Sequence, residues 1–81
     1  MVEIISKAIG KDLTEKMTNK NISDYYIHSN LQICTAPTLN KIKKGKYYKS
    51  YPLGVVVQIY KAIGQDLINI TFEQGKLEIK I

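Results

Sequence analysis

The chain has 81 residues, of which 44% are hydrophobic, so it is long enough for one folded domain and is not composed like a disordered segment. Its formal net charge is +5, from 12 lysines and 7 acidic residues, with no arginine. A single cysteine excludes an internal disulfide and a cysteine-based zinc site. No apolar run is long enough for a signal peptide or a membrane span, which predicts a cytoplasmic protein without a membrane partner.

The positive charge is concentrated in one short segment. Residues 1–40 contain four lysines and four acidic residues, which balance, whereas residues 41–49 contain five lysines and no acidic residue. Concentrated positive charge attracts a polyanion through counterion release and steers its approach. A solvated lysine-rich loop is the alternative explanation for a run of this size.

The first predicted element is an amphipathic helix over residues 3–20. Apolar side chains recur at every fourth position, at Ile5, Ile9, Leu13 and Met17. Gly10 lies inside this helix, where glycine costs about 1 kcal/mol relative to alanine. A glycine in such a position indicates that another element packs closely against the helix.

Two short helices are predicted next, over residues 23–30 and 35–45, with a turn between them. Ser23 is a favourable N-cap for the first, and Thr35 for the second, in whose first turn Pro37 is well tolerated. The lysines fall on the second helix and just after it. Such a pair has the form of a helix-turn-helix with a basic recognition helix.

A fourth helix is predicted over residues 52–63, with Gly64 as its C-terminal cap. The apolar period then changes to two, which predicts a β-hairpin with one apolar face and a turn at residues 73–76. Because an isolated hairpin is only marginally stable in water, another surface must cover that face. Its apolar residues are Ile68, Ile70, Phe72, Leu77, Ile79 and Ile81.

Four fragments resemble the lambda-repressor/Cro-like (XRE) helix-turn-helix family. They are IGKDL at 9–13, NIS at 21–23, TLNKIKKGK at 38–46 and VVVQIYKAIGQDL at 55–67. They resemble, in order, the first helix, the start of the second, the end of the recognition helix and the end of the fourth. The resemblance implies a mostly α fold. A four-helix lambda-repressor-like helix-turn-helix domain would occupy residues 1–66, and a C-terminal β-hairpin residues 67–81.

The chain also departs from the family pattern. Its turn, NLQICTAP, is one residue longer than usual, Asp24 stands where the family often has glutamine, and arginine is absent. The hairpin takes the place of the usual fifth helix. Because Cro-like members dimerise through C-terminal strands, the resemblance implies that the hairpin forms a homodimer. The expected interface residues are Ile68, Ile70, Phe72, Leu77, Ile79 and Ile81.

The expected function is sequence-specific binding of double-stranded DNA by a small dimeric transcriptional regulator of the repressor type, with no cofactor, metal or small-molecule ligand. Base contacts in the major groove are expected from Thr35, Thr38, Asn40 and Lys41. Phosphate contacts are expected from Lys43, Lys44, Lys46, Tyr47, Tyr48 and Lys49. Because bidentate recognition of guanine is weak without arginine, an A·T-rich half-site is expected.

Two other functions stay open. The same fold could serve as a protein-interaction module, or Tyr47, Tyr48 and Tyr51 could stack on the bases of a single-stranded nucleic acid. An enzyme is not expected, because the acidic residues are scattered and no glycine-rich phosphate loop is present. His28 is expected on a helix surface, and Cys34 is expected to be a half-buried apolar residue without a redox role.

Overall fold

The computed structural model describes residues 1–81 and consists of four helices followed by a two-stranded antiparallel sheet. The helices are α1 (Val2–Asn19), α2 (Tyr26–Asn30), α3 (Ala36–Lys43) and α4 (Leu53–Ala62). The strands are β1 (Leu67–Phe72) and β2 (Gly75–Lys80). The predicted mostly α architecture with a C-terminal hairpin is confirmed. None of the helices combines the length and the apolar character needed to cross a membrane.

The hydrophobic core draws on every element of the chain. Its buried apolar side chains are Ile9, Leu13, Met17, Ile27, Leu39, Ile42, Val56, Ile59, Tyr60, Ile63, Ile68 and Ile70. The first three continue the predicted stripe of α1, whose left-handed cap falls on Asn21 (φ 59°), as expected from the sequence. The i, i+3 spacing of Leu53 from Val56 predicts that Leu53 lies on the apolar face of α4. Leu53 is instead 42% exposed, at the first residue of that helix.

Helix α2 is wound as a π-helix rather than as the α-helix expected from the sequence. The N–H of Leu31 donates to the carbonyl of Tyr26, five residues earlier, at 2.9 Å. Ser23 caps the segment as predicted, since its Oγ accepts a hydrogen bond from the N–H of Tyr26 at 3.2 Å. The i, i+4 spacing of Ile27 and Leu31 predicts that both face the core. The wider turn buries Ile27 but leaves Leu31 39% exposed, so this prediction is wrong for Leu31.

Helix α3 begins where the sequence predicts, with Thr35 as its N-cap. Thr35 Oγ1 accepts a hydrogen bond from the N–H of Thr38 at 3.4 Å. The turn before α3 requires a left-handed backbone at Gln32 (φ 53°). After α3 the left-handed Gly45 (φ 65°) ends the helix and redirects the chain, as a C-terminal glycine does.

Helices α1 and α3 meet through their backbones. A Cβ placed on Gly10 of α1 would lie 2.6 Å from the carbonyl oxygen of Lys43 and 2.7 Å from that of Ile42. Just beyond α3, a Cβ on Gly45 would lie 2.6 Å from the Cα of Lys7. The close approach inferred from Gly10 is therefore confirmed, and the element that makes it is the end of α3.

Helix α4 is tied to α1 by a buried hydrogen bond. The hydroxyl of Tyr60, whose side chain is fully buried, donates to Asp12 Oδ2 at 2.7 Å. Lys16 lies on the same carboxylate, with its Nζ 2.7 Å from Asp12 Oδ1. Burial, together with the hydrogen bond to Asp12, raises the pKa of Tyr60, which therefore stays protonated as the donor.

The hairpin packs its apolar face onto the helices of the same chain. β1 contacts α1 and α4, and it contributes the buried Ile68 and Ile70 to the core. The prediction that this face is covered is confirmed. The turn is shorter than predicted, because Phe72 pairs directly with Gly75 and only Glu73 and Gln74 connect the strands.

Replacing Gly10 with alanine is expected to lower the free energy of unfolding by about 1–3 kcal/mol, because the added methyl group meets two backbone carbonyls that cannot move independently. The matched control is Gly54→Ala in the first turn of α4, where a Cβ meets nothing within 4 Å. That substitution is expected to stabilise the protein by about 0.5–1 kcal/mol. Urea denaturation measures both, and equal effects of the two alanines would contradict the α1–α3 packing.

Replacing Tyr60 with phenylalanine is expected to cost about 1.5–3 kcal/mol, because the Asp12 carboxylate loses a buried donor. Tyr51 provides the control, since its hydroxyl is buried without a hydrogen-bond partner. Tyr51→Phe is expected to be neutral or to stabilise the protein by up to about 1 kcal/mol. Denaturation curves of the two variants measure the difference, and a larger loss for Tyr51→Phe would contradict the pairing.

Candidate nucleic-acid interface

Helix α3 presents one exposed stripe on the side opposite the core. Leu39 and Ile42 are fully buried beneath it. The stripe consists of exposed residues at i, i+3, i+4 and i+7, namely Pro37, Asn40, Lys41 and Lys44. The side chains of the stripe change along the helix from the apolar Pro37 to the amide of Asn40, and then to the cationic Lys41 and Lys44. A helix with one exposed stripe is an element that the major groove of DNA is wide enough to admit.

The four residues predicted to contact bases differ in exposure and in hydrogen bonding. Asn40 and Lys41 belong to the outward stripe and are exposed. Thr38 is half-buried on the flank of α3, and the Thr35 hydroxyl is engaged by the cap. The Oγ1 atoms of the two threonines are hydrogen-bonded to each other at 3.0 Å. Thr35 Oγ1 is the donor of this bond, so the two methyl groups and the Thr38 hydroxyl proton are the parts of these side chains that form no internal hydrogen bond.

An ion pair links the two helices of the candidate motif. Lys43 Nζ lies 2.7 Å from Asp24 Oδ1, across 19 residues of sequence, and the Lys43 side chain is only 22% exposed. This pair joins the residues just before α2 to the last residue of α3. It also neutralises Lys43, which distinguishes that residue from the other lysines predicted to contact phosphates.

Four of the predicted phosphate-contact residues converge on a concave site after α3. The site has a volume of about 270 Å³ and is lined by Lys41, Lys46, Tyr47, Tyr48, Lys49 and Ser50. No acidic residue lines it, and none of its three lysines belongs to an ion pair. Lys41 Nζ lies 4.4 Å from the centroid of the Tyr47 ring. Three ammonium groups around one depression suit a phosphate group.

The tyrosines of this loop divide between packing and exposure. Tyr47 and Tyr51 are half-buried and pack edge to face, with ring centroids 5.5 Å apart, whereas Tyr48 is 63% exposed. The N–H of Tyr47 donates to the Oγ of the buried Ser6 at 3.1 Å, which anchors the loop to α1. Burial, with a smaller contribution from Cys34, raises the pKa of Tyr47. The loop is therefore held in place rather than merely solvated.

The predicted dimer residues lie in two environments. Ile68 and Ile70 are buried inside this chain, so neither is on the surface where a second copy could contact it. The other four predicted residues lie half-buried at the margin of the core: Phe72, Leu77, Ile79 and Ile81. The open edges of the two strands are the parts of the hairpin left accessible.

The remaining candidate residues have local partners. His28 Nδ1 lies 2.8 Å from the Oγ of Ser29, and the imidazole packs edge to face on Tyr25 at 5.7 Å. Cys34 is half-buried, and burial raises the pKa of its thiol. No group of three or more His, Cys, Asp or Glu side chains is placed to hold a metal ion.

The largest groove lies away from α3, where α1 and α4 end and α2 begins. It has a volume of about 670 Å³, and its lining includes Lys20, Tyr25, Tyr26 and Ile63. This groove contains no residue of α3. Proteins that recognise the major groove of DNA do so with an exposed helix rather than with a cavity, so the volume of this groove is no argument for DNA binding there.

Sequence reasoning missed one residue of this surface and one buried residue that supports it. Pro37 was assigned only a role in starting the helix, although its spacing from Asn40 and Lys41 places all three on one stripe. Ser6 gave no sign of its role, because its hydrogen bond to Tyr47 joins residues that are 41 positions apart.

Comparison with known proteins identified no relative of this chain. No protein-family model matches it, and neither the curated proteins nor the solved structures contain a match.

Proposed function

We propose that this protein binds double-stranded DNA in a sequence-specific manner, as a small dimeric transcriptional regulator of the repressor type on a lambda-repressor-like fold, in the cytoplasm. The observation that carries the proposal is the continuity of two surfaces. The exposed stripe of α3 runs directly into a lysine-lined depression that contains no carboxylate. Asp24, two residues before α2, forms an ion pair with Lys43 of α3.

In the proposed complex α3 lies in the major groove. Asn40 is placed to contact a base edge, and an asparagine amide can pair with adenine through two hydrogen bonds. The ammonium groups of Lys41, Lys44, Lys46 and Lys49 lie towards the end of α3 and beyond it, where the sugar–phosphate backbone borders the groove. Phosphate contacts of this kind set the orientation of the protein and most of its salt-dependent affinity.

The backbone geometry of the hairpin supports dimerisation through β2. The N–H of Ile81 donates to the carbonyl of Asp66 at 2.9 Å, and the strand register extends from that pair. Hydrogen-bonded pairs alternate along an antiparallel ladder, so the N–H and C=O groups of Lys76, Glu78 and Lys80 point to the open edge. A second copy can add its own β2 there.

The side chains along this edge favour alignments of two β2 strands that place a lysine, Lys76 or Lys80, opposite Glu78 of the other copy. Lys76, Glu78 and Lys80 alternate in charge, and within one chain Lys76 Nζ lies 3.3 Å from Glu78 Oε2. Antiparallel pairing with Lys76 of one copy opposite Glu78 of the other gives two complementary cross-strand pairs. Pairing Glu78 with Glu78 instead would place like charges together, which is unfavourable.

Fluorescence titration of a random-sequence duplex and a matched single strand at several salt concentrations tests DNA binding. We expect the dimer to prefer the duplex, with a slope of log K against log salt of roughly −7 if about eight phosphates are contacted. The double variant Lys44→Gln/Lys46→Gln is expected to reduce that slope by roughly 3–4. Lys43→Gln is expected to have a smaller effect than either single substitution, because Asp24 already neutralises Lys43.

The control for this titration is Lys20→Gln/Lys61→Gln, which removes the same charge from exposed positions outside the depression. An equal loss of affinity in both double variants would contradict the proposed surface. A preference for the single strand would contradict the proposal in favour of the loop with the exposed Tyr48. No binding to either DNA would leave the protein-interaction module as the function.

Replacing Glu78 with lysine is expected to weaken the dimer, because both complementary cross-strand pairs become like-charged. The dimer dissociation constant should rise roughly tenfold or more. Glu73→Lys, in the turn between the strands, makes the same change of charge away from the edge and should leave the dimer intact. Sedimentation velocity over a concentration series measures both. A monomeric mass of the unmodified protein at micromolar concentration would contradict the dimer itself.

A further inference from the structure

The first turn of α3 has an exposed surface that is almost entirely apolar. Pro37 is the first member of the outward stripe, and the exposed Ala36 lies beside it. The exposed Thr35 and the half-buried Thr38, each of which carries a methyl group, precede and follow this pair in the sequence. The cationic and amide members of the stripe begin only at Asn40, one helical turn later.

This apolar end has little capacity to donate hydrogen bonds to a base edge. Proline lacks an N–H, and alanine ends in a methyl group. The Thr35 hydroxyl is occupied, because it accepts from the N–H of Thr38 and donates to Thr38 Oγ1, which leaves the half-buried Thr38 hydroxyl as the one side-chain donor in this turn. With no arginine in the chain, nothing in this turn can form the bidentate contact that identifies guanine.

One group in the major groove matches an apolar surface, and it is the C5-methyl group of thymine. We infer that Pro37, supported by Ala36 and the Thr38 methyl group, is a specificity-determining residue that contacts thymine methyl groups. This inference rests on the proposed function and deepens it by naming the feature of DNA that α3 recognises. Each half-site would then contain thymine where the first turn of α3 enters the groove, next to the base contacted by Asn40.

Proline is also favourable in the first turn of a helix for reasons of backbone geometry alone. A loss of affinity on replacing Pro37 would therefore be ambiguous. The decisive measurement changes the DNA, since 2′-deoxyuridine differs from thymidine only by the missing C5-methyl group and retains the same pairing edge. Removing one methyl group that is buried in the complex is expected to weaken binding about fourfold.

The experiment begins with a duplex selected from a random library by the unmodified protein. That duplex is then made with 2′-deoxyuridine in place of each thymidine of the half-sites, one position at a time. We expect a loss of about fourfold at the one or two positions facing the first turn of α3. Deoxyuridine in the flanking sequence, outside the selected site, is the DNA control and should leave the affinity unchanged.

Protein variants identify the residue responsible. Pro37→Ala removes ring methylene groups while retaining a good helix former, and thermal unfolding verifies that the fold is intact. In this variant the penalty for deoxyuridine should shrink towards onefold. Lys44→Gln is the control, because a lost phosphate contact should weaken binding to both duplexes and leave their ratio unchanged.

The outcomes separate the inference from the function on which it rests. If a sequence is selected and deoxyuridine is tolerated at every position, the methyl contact is overturned while DNA binding stands. If the deoxyuridine penalty is unchanged in Pro37→Ala, the assignment to Pro37 is overturned. If no duplex is selected at all, the proposed function itself fails.

Discussion

The backbone contact between α1 and the end of α3 determines where the candidate recognition helix lies. At Gly10 the neighbouring atoms are the carbonyl oxygens of Ile42 and Lys43, so neither partner can yield by changing a side-chain rotamer. Gly45 continues the contact against Lys7, and the Ser6–Tyr47 hydrogen bond follows it. The N-terminal half of α1 therefore supports both α3 and the lysine-rich loop.

The rest of the structure holds α1 in place. Tyr60 fastens α4 to α1 through Asp12, and β1 contributes Ile68 and Ile70 to the same core. A chain of 81 residues buries a modest core, so the loss of two isoleucines would remove an appreciable part of it. The hairpin is consequently needed by the monomer as well as by the proposed dimer, and its apolar face and its edge have separate roles.

Periodicity alone predicted the order and type of most elements, because buried stripes at period 3.6 or 2 are local properties of the sequence. The types of individual residues also predicted the close packing at Gly10 and the caps at Ser23 and Thr35. Periodicity failed for Leu31, because an α-helical period does not describe the π-helical turn. It could not show the pairing of Lys43 with Asp24, or the burial of Ile68 and Ile70 within the monomer, since these depend on tertiary contacts between distant residues.

In the proposed DNA complex, a surface with lysine and no arginine would separate the residues that give affinity from those that give specificity along α3. Lysine is a flexible point charge, so it strengthens contact with any phosphate but distinguishes bases poorly. In the proposed complex the selective groups lie at Pro37 and Asn40, and the unpaired charges lie from Lys41 onwards. Asp24 removes one charge from this second group without touching the first. Because nonspecific binding depends almost entirely on phosphate contacts, in the proposed complex the Asp24–Lys43 pair would reduce nonspecific affinity more than discrimination between sequences.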